Sequence, residues 1–177
     1  TKEIATAKKI INLHGPLTNP AQAKRQLIGV YSKSLMKIVA ETLIKLGTER
    51  AMVVHSADGM DEISIYDKTH VIEINNSEMN SYEIDPRDYF TCNSTIADIK
   101  VNDSEQSLEM MLSVIKNKDT PARMIALLNA AALVYISGKS ETISDAVKIC
   151  ENALKSKSVD MKVNELIKLT NSFENVR

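Results

Sequence analysis

The amino-acid sequence predicts an α/β domain in which a mainly parallel sheet is flanked by helices and followed by a helical C-terminal section. Two short apolar runs, at residues 26–31 and 51–55, are separated by a helical pattern. A strand, a helix and a second strand form a crossover unit, and the strands of such a unit are parallel. From residue 104 onward the apolar spacing is helical. We expect one domain over residues 1–177, since a domain typically has about 150 residues.

The predicted elements start with a helical pattern that ends at a Gly-Pro turn. The crossover helix has Ser32 as its cap and stops at Gly47. Alternating apolar residues between Ile63 and Ile84 predict a few short antiparallel strands joined by hairpin turns, and the first of them covers Ile63–Ile65. The C-terminal helices are predicted at residues 104–117, 120–137, 140–156 and 159–173.

The composition excludes several classes of function. With 22 basic and 23 acidic residues, the net charge of -1 provides no electrostatic footprint for nucleic acid or for an anionic membrane surface. No apolar run approaches the ~20 residues needed to cross a bilayer. Cys92 and Cys150 match no metal-binding or redox spacing, which predicts two reduced thiols. We therefore expect a cytoplasmic protein with no nucleic-acid partner and no membrane partner.

A polar segment at residues 12–20 interrupts the helical and strand patterns near the N-terminus. Its Gly15, Pro16 and Pro20 make the backbone turn and keep it stiff. Glycine lets a ligand approach the main chain, and proline offers a flat apolar surface, so the segment is compatible with a wall of a binding site. A hinge between two layers of the fold explains the same residues equally well.

The loop that leaves the second predicted strand, at residues 56–62, is rich in acidic residues. Ligands of α/β folds gather beyond the carboxyl ends of the strands, so this loop is where chemistry is expected. Asp61 and Glu62 are adjacent carboxylates, and Mg²⁺ usually takes one or two such ligands. Solvated surface residues are the alternative interpretation of the pair. Asp58 better suits an Asx turn, and His55 is placed to orient the loop.

Five segments in this order together resemble anthranilate phosphoribosyltransferase. The order and spacing of the segments are those of that family, and the resemblance extends over essentially the whole chain. It implies a catalytic domain of the nucleoside phosphorylase and phosphoribosyltransferase type, joined in the complete enzyme to a small helical domain. The five segments are Gly15-Pro16-Leu17-Thr18-Asn19-Pro20-Ala21, Gln26–Tyr31, Val53–His55, Gly59–Ser64 and Leu128–Leu133.

The resemblance implies an enzyme that transfers the 5-phosphoribosyl group from phosphoribosyl pyrophosphate (PRPP) to the amine of anthranilate, a step of tryptophan biosynthesis. Mg²⁺ is the implied cofactor, and Asp61 and Glu62 match the acidic pair that binds it. Gly15 and Pro16 match the segment that lines the anthranilate site. Lys2 aligns with an arginine that binds the anthranilate carboxylate in the family, and lysine lacks the bidentate fork of arginine. No covalent nucleophile is implied, and the implied assembly is a homodimer.

The glycine-rich PRPP loop and the helical domain of the family lie upstream of the matched segments. We therefore expect these 177 residues to be the C-terminal portion of the enzyme. By itself this portion should be inactive, with half of a metal site and one wall of an acceptor pocket. A pyrimidine nucleoside phosphorylase is an alternative, disfavoured because the Gly-Pro-Leu-Thr-Asn-Pro and Asp-Glu segments occur together. A non-catalytic module that kept the fold is the alternative from another class.

Overall fold

The computed structural model describes residues 17, 18 and 20–174 of the chain. The predicted N-terminal helix and three of the predicted site residues, Lys2, Gly15 and Pro16, lie outside the described residues. Their roles therefore stay predictions, and the fold that follows concerns the remainder of the chain.

Four strands form one mixed sheet in the described part of the chain. They lie in the sheet in their sequence order, with β1 and β2 parallel and the other two pairings antiparallel. The predicted α/β fold, with helices around a sheet that has both kinds of strand pairing, is confirmed. The described sheet is less parallel than predicted, since one of its three pairings is parallel and two are antiparallel. The strands are β1 (Arg25–Gly29), β2 (Arg50–Ser56), β3 (Thr69–Asn75) and β4 (Glu78–Ile84).

The crossover between the parallel strands contains helix α1, Met36–Lys45, which follows a short 3₁₀ turn. Ser32 stands at the start of that turn, but its side chain makes no capping hydrogen bond. Gly47 ends α1 with a φ of +77°, a conformation that glycine adopts without steric cost. The Gly47 and Thr48 amides donate to carbonyls of the last helical turn, so the predicted stop signal is confirmed.

The C-terminal section consists of four helices, and each lies within three residues of its predicted bounds. Thr120 caps the second of them by accepting the Arg123 amide at 3.3 Å, and Pro121 occupies its first position, as predicted. None of the described helices has both the length and the apolar composition of a membrane span. The helices are α2 (Ser104–Ile115), α3 (Pro121–Ile136), α4 (Ile143–Lys155) and α5 (Ser158–Glu174).

The centre of the sheet is buried on both faces, which explains why residues 51–54 of β2 are all apolar. Met52 and Val54 of β2 pack with α3 and α4, whereas Ala51 and Val53 pack with α1 on the opposite face. Alternate residues of a strand point to opposite faces, so both sets require apolar side chains. Helix α3 packs directly on the sheet and buries Leu128 completely.

The prediction of a strand at Ile63–Ile65 is wrong. These three residues are buried, but they belong to the loop between β2 and β3 and have no place in the sheet ladder. The Ser64 amide donates to the Thr69 hydroxyl at 3.1 Å instead of to a neighbouring strand. Apolar residues alternate in this segment because Ile63 and Ile65 pack into the core beneath α3.

Candidate functional site

The two candidate metal ligands lie just beyond the carboxyl end of β2. Asp61 and Glu62 belong to the loop that follows Ser56, and both side chains are exposed. Among the residues that the structure describes, no ion pair or hydrogen bond engages either carboxylate. Both carboxylates are therefore free to bind a ligand from solution.

The loop itself is tightly folded around Asp58. One oxygen of this carboxylate accepts the Met60 amide at 3.0 Å, which is the predicted Asx turn. The other oxygen accepts the Ser64 hydroxyl at 2.5 Å, and the Ser56 amide donates to the Met60 carbonyl at 2.9 Å. Asp58 therefore has a structural role, and it closes the loop that carries the acidic pair.

Gly29, the last residue of β1, allows the acidic loop to lie directly against the end of that strand. A Cβ atom at position 29 would lie 1.5 Å from the carbonyl oxygen of Asp61 and 2.5 Å from its carbonyl carbon. No side chain tolerates such a distance, so the main chain of Asp61 occupies the space that a side chain would fill. The position of Asp61 is thus set by contact with β1.

Asn129 of α3 binds the loop on the other side of the pair. Its Oδ1 accepts the Ile63 amide at 3.0 Å, and its Nδ2 donates to the Ile63 carbonyl at 2.9 Å and to the Ile125 carbonyl at 3.0 Å. Ile63 is completely buried, so both of its main-chain groups need partners inside the protein. The residue that directly follows Glu62 is therefore fixed to α3.

His55 is not bonded to the acidic pair. Its Nδ1 lies 2.8 Å from the carbonyl oxygen of Val30, so Nδ1–H donates to the chain that continues from β1. The Val30 amide in turn donates to the Val54 carbonyl at 3.0 Å. His55 therefore joins the carboxyl ends of the two parallel strands, and any effect on the loop passes through β1.

The carboxylates of Asp61 and Glu62 suit a metal ion that is shared with a substrate. Within residues 17, 18 and 20–174, no group of three or more His, Cys, Asp or Glu side chains converges on a point where a metal ion could sit. Mg²⁺ does not need such a cage, because it keeps several waters and takes oxygen ligands from substrate phosphates. Two adjacent, exposed carboxylates on a fixed loop fit this mode of binding.

The described end of the Gly-Pro segment lies at the other end of the strands. Leu17 and Pro20 border a cavity of about 440 Å³ together with Gln26, near the amino end of β1, and Thr48, which precedes β2. The acidic pair follows the carboxyl end of β2. The structure therefore does not bring this part of the segment to the pair.

A family model described as "Glycosyl transferase family, a/b domain" matches residues 1–158. The chain belongs to this family. Anthranilate phosphoribosyltransferase of Nitrosomonas eutropha is 40% identical over 166 residues, which are 94% of this chain and 49% of the relative. The chain thus spans about half the length of the curated relatives it matches. The resemblance inferred from the five segments is confirmed.

Solved structures of this family share the fold. The crystal structure of anthranilate phosphoribosyltransferase from Thermus thermophilus superposes with a TM-score of 0.77 at 27% identity, over 86% of this chain and 45% of that chain. The enzyme of Saccharomyces cerevisiae in complex with PRPP and Mg has a TM-score of 0.78 at 20% identity, over 89% of this chain and 46% of that chain. At that level of identity the second likeness concerns the fold alone.

Sequence reasoning missed the roles of Gly29 and Asn129, although both lie in segments that carry the family resemblance. A glycine that ends an apolar strand run is a sign of close approach by another main chain. An amide side chain within the apolar helix α3 needs a polar partner in its surroundings. Both signals are present in the sequence, but neither reveals the partner.

Proposed function

We propose that this chain is the C-terminal α/β portion of an anthranilate phosphoribosyltransferase. The observation that carries the proposal is the pair Asp61 and Glu62, exposed and unpaired on a loop that β1 and α3 hold in place. The 40% identity to the Nitrosomonas eutropha enzyme over 94% of the chain supports the same activity. Because the match covers 49% of that relative, we propose that an upstream helical domain and a glycine-rich PRPP loop complete the enzyme.

The proposed reaction joins the nitrogen of anthranilate to the anomeric carbon of the ribose. The bond from that carbon to pyrophosphate breaks, its electron pair leaves with pyrophosphate, and the nitrogen gives up one proton to solvent. Asp61 and Glu62 would hold Mg²⁺ beside the pyrophosphate. Bound there, Mg²⁺ neutralises the charge that develops on the leaving group. The protein then contributes position and electrostatics, without a covalent nucleophile.

The proposed acceptor site comprises Gly15, Pro16 and Lys2. Gly15 and Pro16 would line one side of the anthranilate ring, because a stiff apolar turn leaves space for a flat ligand. Lys2 would attract the anthranilate carboxylate as a point charge, without the two parallel hydrogen bonds that an arginine provides. We expect this enzyme to orient anthranilate less strictly than relatives that have arginine at the corresponding position.

The proposal includes a homo-oligomeric assembly in the cytoplasm and a role in tryptophan biosynthesis. The near-neutral net charge of -1 supports small-molecule substrates over nucleic acid or a membrane surface. Static light scattering of the complete protein tests the assembly. Dimers or higher oligomers are expected, and a monodisperse monomer would contradict this part of the proposal.

The decisive experiment is an assay of the complete protein that contains these residues. Anthranilate fluorescence should decrease only when PRPP and Mg²⁺ are both present, and EDTA should stop the decrease. The 177-residue chain assayed alone should give no turnover. Absence of turnover by the complete protein with Mg²⁺ and both substrates would reject the proposal. Phosphate-dependent cleavage of a pyrimidine nucleoside would instead identify a phosphorylase, and inactivity in both assays would favour a non-catalytic module.

A further inference from the structure

We infer that Asn129 is a positioning residue for the magnesium-binding pair and that it acts with Gly29 through the main chain of the acidic loop. This inference rests on the proposed function of Asp61 and Glu62. Neither residue would touch the metal or the substrates. Their effect would be to fix the direction in which the two carboxylates point before the metal arrives.

The main chain of the acidic loop sets the position of Asp61 and Glu62. The main chain of Asp61 is held against Gly29, and the main chain of Ile63 is held by Asn129. Only Glu62 lies between these two points of attachment. Since no described residue pairs with either carboxylate, the side chains have no anchor of their own.

Asn129 is suited to this task because its own position is fixed. Its amide also donates to the Ile125 carbonyl of the preceding helical turn, which orients the side chain on α3. Helix α3 is in turn attached to the sheet by Leu128, which precedes Asn129 in the chain and is completely buried. The loop is therefore held in a fixed position relative to the sheet.

Loss of the Asn129 amide would leave two buried main-chain groups of Ile63 without partners. Buried unpaired groups are costly, so the loop would shift to regain hydrogen bonds with water. The carboxylates would then have to be ordered when the metal binds. Loss of a residue that supports metal ligands typically lowers metal affinity by about 10- to 100-fold.

The first test is hydrogen exchange in the complete wild-type protein without metal. The Ile63 amide should exchange at least about 100-fold more slowly than in an unstructured peptide, because it is buried and bonded to Asn129. Rapid exchange of this amide in the metal-free protein would overturn the inference, since the loop would not be held before the metal binds. This measurement needs no variant, so it is independent of whether substituted proteins fold.

The second test compares variants of the complete protein. Asn129→Ala should raise the Mg²⁺ concentration for half-maximal activity by about 10- to 100-fold, while kcat at saturating Mg²⁺ stays within about twofold. Gly29→Ala should act in the same direction, because an added Cβ displaces the main chain of Asp61. Tyr135→Phe is the matched control, since it removes a half-buried hydrogen bond of the same helix without touching the loop.

A second readout separates positioning from general destabilisation. Mn²⁺ binding in the presence of PRPP, followed by water-proton relaxation, should weaken in Asn129→Ala and remain unchanged in Tyr135→Phe, even where both lower the melting temperature. An unchanged metal requirement in Asn129→Ala would overturn the inference and leave the proposed function intact. A wild-type protein that neither binds Mn²⁺ with PRPP nor needs Mg²⁺ would instead contradict the proposed function.

Discussion

The carboxylate of Glu73 on β3 accepts a hydrogen bond from the hydroxyl of Tyr135 on α3, with 2.9 Å between the two oxygens. Its second oxygen accepts the Tyr82 hydroxyl of β4, also at 2.9 Å. The guanidinium of Arg50 on β2 lies 3.6 Å from the same carboxylate and covers the Tyr135 ring at 5.1 Å. The side chain of Glu73 is only 13% exposed, so this cluster satisfies a buried charge and ties α3 to three strands.

The cluster predicts a loss of stability at alkaline pH. Burial and the neighbouring Glu73 raise the pKa of Tyr82 above its ordinary value of about 10. The folded protein therefore keeps the phenolic proton at pH values where the unfolded chain releases it. The stabilisation is complete below pH ~10 and is lost as the pH rises above that value, by at most about 1.4 kcal/mol per pH unit for this group.

Urea unfolding between pH 8 and 11 measures this effect. The free energy of unfolding should fall above pH ~10, and Tyr82→Phe should make the fall shallower because the titrating group is gone. Burial and the bond to Glu73 also raise the pKa of Tyr135, so a residual slope of the same sign should persist in that variant. Identical slopes in the wild type and in Tyr82→Phe would contradict the prediction.

The acidic pair predicts a specific dependence on magnesium in the complete enzyme. Asp61→Asn and Glu62→Gln should each lower kcat/KM at subsaturating Mg²⁺ by on the order of 100-fold, since each removes a proposed metal ligand. The free energy of unfolding should change by less than about 0.5 kcal/mol, because both side chains are exposed. Steady-state kinetics across a Mg²⁺ titration measures the first effect.

Glu141→Gln is the control for charge removal, because Glu141 is an exposed carboxylate between α3 and α4. This variant should retain wild-type kinetics at every Mg²⁺ concentration. If both loop variants had the magnesium dependence of the wild type, Asp61 and Glu62 would not be the ligands of the proposed metal site.

The hairpin between β3 and β4 predicts a stabilising substitution. Asn76 and Ser77 form its turn with φ values of +48° and +73°, a left-handed pair that glycine adopts most easily at the second position. Ser77→Gly should therefore raise the free energy of unfolding by about 1 kcal/mol. The same change at Ser81, in the extended backbone of β4, should lower it by roughly 0.5–1 kcal/mol. A destabilised Ser77→Gly variant would show that the serine side chain matters more than the turn geometry.

The two thiols should differ in reactivity. Cys150 belongs to α4 and is buried in the core between this helix and α3, and burial raises the pKa of its thiol, so little thiolate is available. Cys92 is only half-buried. A thiol-specific reagent at pH 8 should modify Cys92 at least about tenfold faster, because Cys150 reacts only when the structure opens. Cys92→Ser should remove the fast phase alone, and equal rates for both thiols would contradict the burial of Cys150.

Local sequence patterns correctly predicted the helices and strands that are determined by their own residues. Residues 51–54 of β2 are apolar because they are buried on both faces of the sheet, and Gly47 ends α1 because only a left-handed residue fits there. The prediction of a strand at Ile63–Ile65 was wrong because the alternation of apolar residues there reflects burial of Ile63 and Ile65 and not pairing with another strand. The main-chain partner of Ile63 is a side chain 66 positions away, and no local pattern contains that information.

The location of the acidic pair was predictable because parallel strands place their carboxyl ends at one edge of the sheet. What holds the pair was not predictable. The absence of a side chain at Gly29 is visible in the sequence, but the main chain that fills the space belongs to a loop 32 positions later. The acceptor residues Gly15, Pro16 and Lys2 lie outside the described part of the chain and stay predictions.

The contact between Gly29 and Asp61 restricts how this protein can be re-engineered. Grafting the acidic segment onto another scaffold would need a host whose first parallel strand also ends in a residue without a Cβ atom. A library that randomises the segment while keeping the strand constant would mostly return sequences with the original backbone path. Strand and segment therefore form one transferable unit, and designers should move them together.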